Sequence, residues 1–129
     1  MYSQIILRVE GTLKAMGIEA AEAKTEEGQY SITNEKNVEI LIDVWEEAEK
    51  VFFQVMSPVK KLEDLKIDVL KTLLEENHGL VEACFTLINN EIFIKETIEC
   101  SAFFSQERAL STITRIAYYC ESYKNKFAA

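Results

Sequence analysis

The stretch from Leu62 to Glu99 constrains the fold more than any other part of the chain. Leu62, Leu65, Val69, Leu73 and Leu74 recur at helical spacing and stop at Asn77-His78-Gly79. Two runs with period-two alternation follow, residues 80–88 and 91–99, joined by Asn89-Asn90. That pair tolerates the positive φ of a two-residue hairpin. The first run places Val81, Ala83, Phe85 and Leu87 on one face; the second places Ile92, Ile94 and Ile98 on one face. A helix that hands over directly to a hairpin predicts an α+β fold, with helices packed on an antiparallel sheet.

The remaining elements extend this plan. Tyr2, Ile5, Ile6, Val9, Leu13 and Met16 predict a first helix, closed by Gly17, which suits a left-handed C-terminal position. Residues 19–27 are small and acidic and read as a loop with some extended character. Strands are expected at 29–33, 38–45 and 51–56. Asn34-Glu35-Lys36-Asn37 and Glu46-Glu47-Ala48-Glu49 connect them, and Pro58 should end the third because it lacks a ladder donor. Ser105 is a natural N-cap for a last helix with Glu107 in its first turn. Ala109, Ile113, Ile116, Cys120, Tyr123 and Phe127 form its apolar seam. The expected order is α-β-β-β-α-β-β-α: one domain spanning residues 1–129, with a five-stranded antiparallel sheet and packed helices.

Composition then removes several function classes. With 129 residues, 48% of them hydrophobic, the chain can bury roughly two thirds of its unfolded surface, which makes a real core. The net charge of −8 opposes phosphate backbones and anionic membranes, so neither nucleic acid nor membrane is expected as a partner. Three widely spaced cysteines, Cys84, Cys100 and Cys120, do not make a disulfide framework, and they read as free core thiols of a cytoplasmic protein. Ile5-Ile6-Leu7 is followed by Arg8 and Glu10, which interrupts any apolar signal core, and no run is long enough to span a bilayer.

The inventory for catalysis and metals is thin. His78 is the one histidine, and its place at a helix end favours an interaction with the C-terminal carbonyls over nucleophilic chemistry. The cysteines lack the close pairing of zinc ligands, and the four glycines form no phosphate loop. Glu46-Glu47 and Glu75-Glu76 read as solvated surface. No catalytic residue, metal site or cofactor is expected.

The positive signal is on the second face of the sheet. Opposite the core positions lie Leu41, Trp45, Phe52, Met56, Leu80 and Phe93, alternating with Glu39, Asp43, Gln54, Glu82, Lys95 and Thr97. A sheet covered on one side should be polar there. Either the middle helix covers part of this face, or the face is an interface. Leu41, Trp45, Phe52 and Met56 are the expected partner-binding residues, Trp45 and Phe52 foremost because aromatic residues concentrate at hot spots. Leu70, Leu80 and Phe93 are the expected homodimer contacts.

The run Leu73-Leu74-Glu75-Glu76-Asn77-His78-Gly79-Leu80-Val81-Glu82-Ala83-Cys84-Phe85-Thr86-Leu87 resembles class I type III secretion chaperones and the related YbjN-like domains. In these families a helix ends near an asparagine and a strand with small and aromatic core residues follows. Ile92 and Ile94 carry the resemblance into the next strand. The resemblance implies a non-enzymatic protein, often a homodimer, that holds an extended client segment in the cytosol. Its YbjN-like side implies instead a regulatory or adaptor domain with a folded partner. A small-molecule binder with a cleft between the last helix and the sheet is the remaining alternative.

Overall fold

The computed structural model describes residues 1–64 and 66–127. The chain order is α1 (Tyr2–Ala15), α2 (Ala20–Ala23), β1 (Lys24–Glu26), β2 (Gln29–Thr33), β3 (Glu39–Glu47), β4 (Lys50–Lys61), α3 (Ile67–Glu76), β5 (Cys84–Ile88), β6 (Glu91–Cys100) and α4 (Gln106–Lys126). The sheet is antiparallel and has six strands, in the order β1-β2-β3-β4-β6-β5. The expected five-stranded sheet therefore gains an edge. The acidic segment read as a loop holds the short helix α2 and the three-residue strand β1, which pairs with β2 across Gly28. Gly28 has φ +74°, and a Cβ there would lie 2.5 Å from the Val44 carbonyl oxygen, so this turn needs glycine.

Strand β4 organises the sheet. Its residues alternate buried and half-buried from Val51 to Lys60. It pairs with β3 up to the Leu41–Met56 register and with β6 as far as Lys61. Pro58, expected to end this strand, lies inside it, opposite Phe93. The β3 ladder has already stopped there, and a register shift follows between Pro58 and Lys60. The missing N–H therefore breaks nothing on that side.

The core lies between one sheet face and the helices. Ile40, Ile42, Val44, Val51, Phe53, Val55 and Ile94 meet Ile5, Val9 and Leu13 of α1 and Ala109, Ile113, Ile116 and Cys120 of α4. The Ser105 hydroxyl caps α4 by accepting from the Arg108 N–H at 3.0 Å. Gly17 takes φ +81° after α1, and Asn89 and Asn90 take φ 48° and 62° in the β5–β6 hairpin, as their residue types foretold. Cys84, Cys100 and Cys120 are free, and burial pushes the Cys100 thiol up to about 11.

The middle helix is shorter than its leucine stripe. Leu62–Asp64 form a 3-10 turn, α3 spans Ile67–Glu76, and Asn77–Gly79 make a second 3-10 turn. Leu65 of the stripe lies outside the described residues. The first strand of the hairpin is also shorter, because residues 80–83 run free of the ladder with Glu82 at φ 56°. Val81 and Leu87, expected in the core, are exposed. Polar side chains tie this crossover down. Asn77 Oδ1 accepts from the Phe85 N–H at 2.7 Å, and the Val81 N–H donates to the Tyr119 hydroxyl at 3.1 Å.

The deepest charge in the fold is Glu96, whose side chain is 1% exposed on the helix side of the sheet. Arg115 Nη1 donates to its Oε1 at 2.6 Å; Arg108 Nη2 and the Thr112 hydroxyl donate to its Oε2 at 3.3 and 3.0 Å. Both guanidinium groups also reach Glu82 Oε2, at 2.7 and 3.2 Å, and hold its carboxyl below the usual range. Removing one side of such a cluster should be asymmetric. The Arg108→Met/Arg115→Met double variant strands a buried carboxylate and should cost about 3–5 kcal/mol. Glu96→Met leaves arginines that can turn to water, and should cost distinctly less. Urea denaturation of both variants checks the order.

Candidate protein-binding face

The far side of the sheet carries no helix among the described residues. The apolar side chains of α3 (Val69, Leu70 and Leu73) pack with the same cluster that α1 and α4 cover, so α3 lies on the helix side of the sheet. Of the two explanations offered for the apolar second face, cover by the middle helix is thereby excluded. Parity is the cause: Phe85 and Ile92 point to the helix side, and α3 follows them.

Leu41, Trp45, Phe52 and Met56 come together on this open face. Leu41 is the cross-strand neighbour of Met56, and Trp45 that of Phe52. The Trp45 and Phe52 rings stack with centroids 5.5 Å apart and planes inclined 24°. All four are half-buried, and none belongs to the core cluster. Between the two pairs lie Asp43 and Gln54, opposite each other. Gln54 Oε1 accepts from the Thr97 hydroxyl at 2.8 Å. Beside Met56, Lys95 pairs in register on β6.

The three expected dimer residues do not form one patch. Phe93 is buried on the second face, between Pro58 and Thr86, outside the core cluster. Leu70 lies on the helix side and lines a cavity of about 240 Å³ with Leu73, Leu74, Phe85 and Ile92. Leu80, expected on the second face, lies in the crossover instead and packs toward the core. Its neighbour Glu82 points to Arg108 and Arg115 and is not a sheet residue.

The β5 edge is the other open feature. Among the described residues β5 pairs with β6 alone, and its sequence Cys-Phe-Thr-Leu-Ile carries no charge. Leu87 and Ile88 are exposed beside it, as are Ile67 and Leu74 of α3. An uncharged, unpaired edge next to exposed apolar side chains is a template for pairing. The opposite edge, β1, is three residues long and polar.

Two site features escaped the sequence reading. Glu96 shares parity with Ile94 and Ile98, so strict alternation alone placed it inside. Arg108, Thr112 and Arg115, on one face of a helix, were the signal for its partners. Tyr2, read only as an apolar position of the first helix, packs against the core, and its hydroxyl reaches the Gly28 turn, where Glu27 and Asp43 add to burial in raising its pKa.

In three dimensions the chain is similar to chains of several solved complexes, among them one of a type III secretion chaperone. It superposes on a chain of the ExsC–ExsE complex with a TM-score of 0.73 at 14% identity, covering 97% of this chain and 94% of that one. On a chain of the HopA1–SchA chaperone–effector complex the TM-score is 0.72 at 5% identity, covering 94% and 93%. The structure of the Yersinia pestis type III secretion chaperone SycH with a stable fragment of YscM2 gives 0.67 at 17% identity, covering 95% and 99%. These likenesses establish a type III secretion chaperone-like fold over nearly the whole chain and leave the YbjN-like resemblance without support. No protein-family model and no curated protein matches the sequence. No helix among the described residues is long and apolar enough to cross a membrane.

Asp43 yields a stability prediction. Burial raises its carboxyl above the usual value, with one opposing backbone hydrogen bond at Val44. A group whose folded pKa is raised in this way destabilises the fold when ionised, and the penalty is relieved as the pH falls through the carboxylate range. Asp43→Asn should therefore raise the urea midpoint at pH 7. Its advantage should shrink as the pH falls through the carboxylate range and Asp43 takes up its proton.

Proposed function

We propose that this protein is a non-catalytic, secretion-chaperone-like binding module that holds an extended segment of a client protein in the cytosol. The observation that carries the reading is the uncovered face on which Leu41 and Met56, Trp45 and Phe52 form two apolar pairs on either side of Asp43 and Gln54. A sheet face of this kind takes alternate side chains of an extended chain, one pair per repeat. The fold supports it, because the similar solved chains come from chaperone–effector and related secretion complexes.

Replacement of Phe52 by a photo-crosslinking phenylalanine analogue in the native cytosol tests this. A client captured through one contiguous, protease-protected stretch is the expected outcome. Capture of a folded partner through scattered surface residues would turn the reading into that of an adaptor.

The same reading includes a homodimer built at the β5 edge and α3. Leu70 supplies its inner wall, and Leu74, 72% exposed, its contact surface. One self-complementary edge used twice makes such a dimer closed. Leu80, packed toward the core, and Phe93, buried on the other sheet face, lie outside this interface. Leu74→Asp should give a folded monomer by light scattering, with unchanged circular dichroism. Folded dimers from both Leu74→Asp and Leu70→Asp would remove this interface.

A further inference from the structure

Asp43 sits at the middle of the open face. Leu41 and Trp45 are two residues away on its own strand, on the same side, and Gln54 and Gln29 are its cross-strand neighbours. Two hollows meet at this carboxylate. One, about 190 Å³, runs past Leu41, Gln54 and Met56; the other, about 400 Å³, is walled by Tyr2, Trp45, Glu27 and Glu46. Among the described residues no lysine or arginine forms an ion pair with Asp43, Glu27 or Glu46. The buried carboxylate of Glu96, by contrast, is neutralised by Arg108 and Arg115. Here a partly desolvated carboxylate is left between apolar side chains, beside an aromatic stack, without a counter-cation.

We infer that the segment held on this face carries a basic side chain, arginine before lysine, between two apolar residues, and that it enters the Tyr2–Trp45 hollow to pair with Asp43. The inference rests on the proposed use of this face and adds the chemistry of its occupant. Strand geometry sets the pattern. Alternate residues of an extended chain are about 6.5–7 Å apart, so a segment aligned with β3 puts apolar side chains over the Leu41–Met56 and Trp45–Phe52 pairs and a third side chain over Asp43. A guanidinium suits that place best, because it can lie against the Trp45 or Tyr2 ring while donating to the carboxylate. Lys95, which lies across β4 beside Met56, gives the face a polarity. It disfavours a second basic residue at the Met56 end.

The test uses two fluorescein-labelled peptides, Ser-Leu-Ser-Arg-Ser-Leu-Ser and the same peptide with citrulline for arginine. Citrulline keeps the shape and removes the charge. Anisotropy reads binding, and quenching of Trp45, the one tryptophan of the chain, reports occupancy of this face. The arginine peptide should bind about tenfold tighter, the worth of one charge-assisted hydrogen bond. Asp43→Asn should erase that advantage without weakening the citrulline peptide. Equal binding of the two peptides, with Trp45 quenched, would overturn the inference and leave the binding face standing. An arginine advantage that survives Asp43→Asn would also overturn it, tracing the preference to the overall negative charge. No binding of either peptide, with Trp45 emission unmoved, would overturn both the inference and the reading of the face.

Discussion

The architecture depends on the two-sided alternation of β4. This strand pairs on both flanks and crosses the middle of the sheet, so each of its side chains is committed to one face by parity. Val51, Phe53, Val55 and Val59 go under the helices, where Phe53 is fully buried and packs at 5.0 Å against Phe104. Phe52, Gln54 and Met56 must then face the other way. The apolar content of the open face is a direct consequence of the register that builds the core. A one-residue slip would exchange the two sets and lose both.

The sheet is finished differently at its two edges. At β1 the strand is short and polar, the usual protection against unwanted pairing. At β5 the edge is uncharged, and α3 lies beside it with exposed leucine and isoleucine. The crossover that leads into β5 is held by Asn77, by the Tyr119 hydroxyl and by the arginines that grip Glu82 and Glu96. Polar groups from α4 thus position the edge on which the proposed dimer depends. The cluster balances two guanidinium groups against two carboxylates, so it adds no net charge to a chain that is otherwise strongly acidic.

Much of the fold was legible in the residues. The hairpin at Asn89-Asn90, the cap at Ser105, the seam of α4 and the alternation of β3 each rest on local chemistry, and each appears where its residues imply. The failures have local causes too. Pro58 forbids a ladder bond only where a neighbouring strand asks for one, and β3 ends before it does. Val81 and Leu87 continue an apolar alternation that the chain leaves unused, because the crossover at Glu82 takes a left-handed conformation and the ladder starts at Cys84. Glu96 was passed over because a charge at core parity makes sense only with Arg108, Thr112 and Arg115 set against it.

The sequence by itself determined the order of α1, α3, α4 and of strands β2 to β6, the partition of side chains between the two faces of β3 and β4, and the cluster of Leu41, Trp45, Phe52 and Met56 on one of them. Those properties follow from periods of two and of about 3.6 residues, which are written into the chain. Only the tertiary structure decided which face the middle helix would cover, and so which face stays open. Periodicity names the apolar side of a helix but says nothing about where that side docks. The same limit hid the surroundings of Asp43, since its partial burial depends on groups from α1, β2, β3 and β4 that meet only in space.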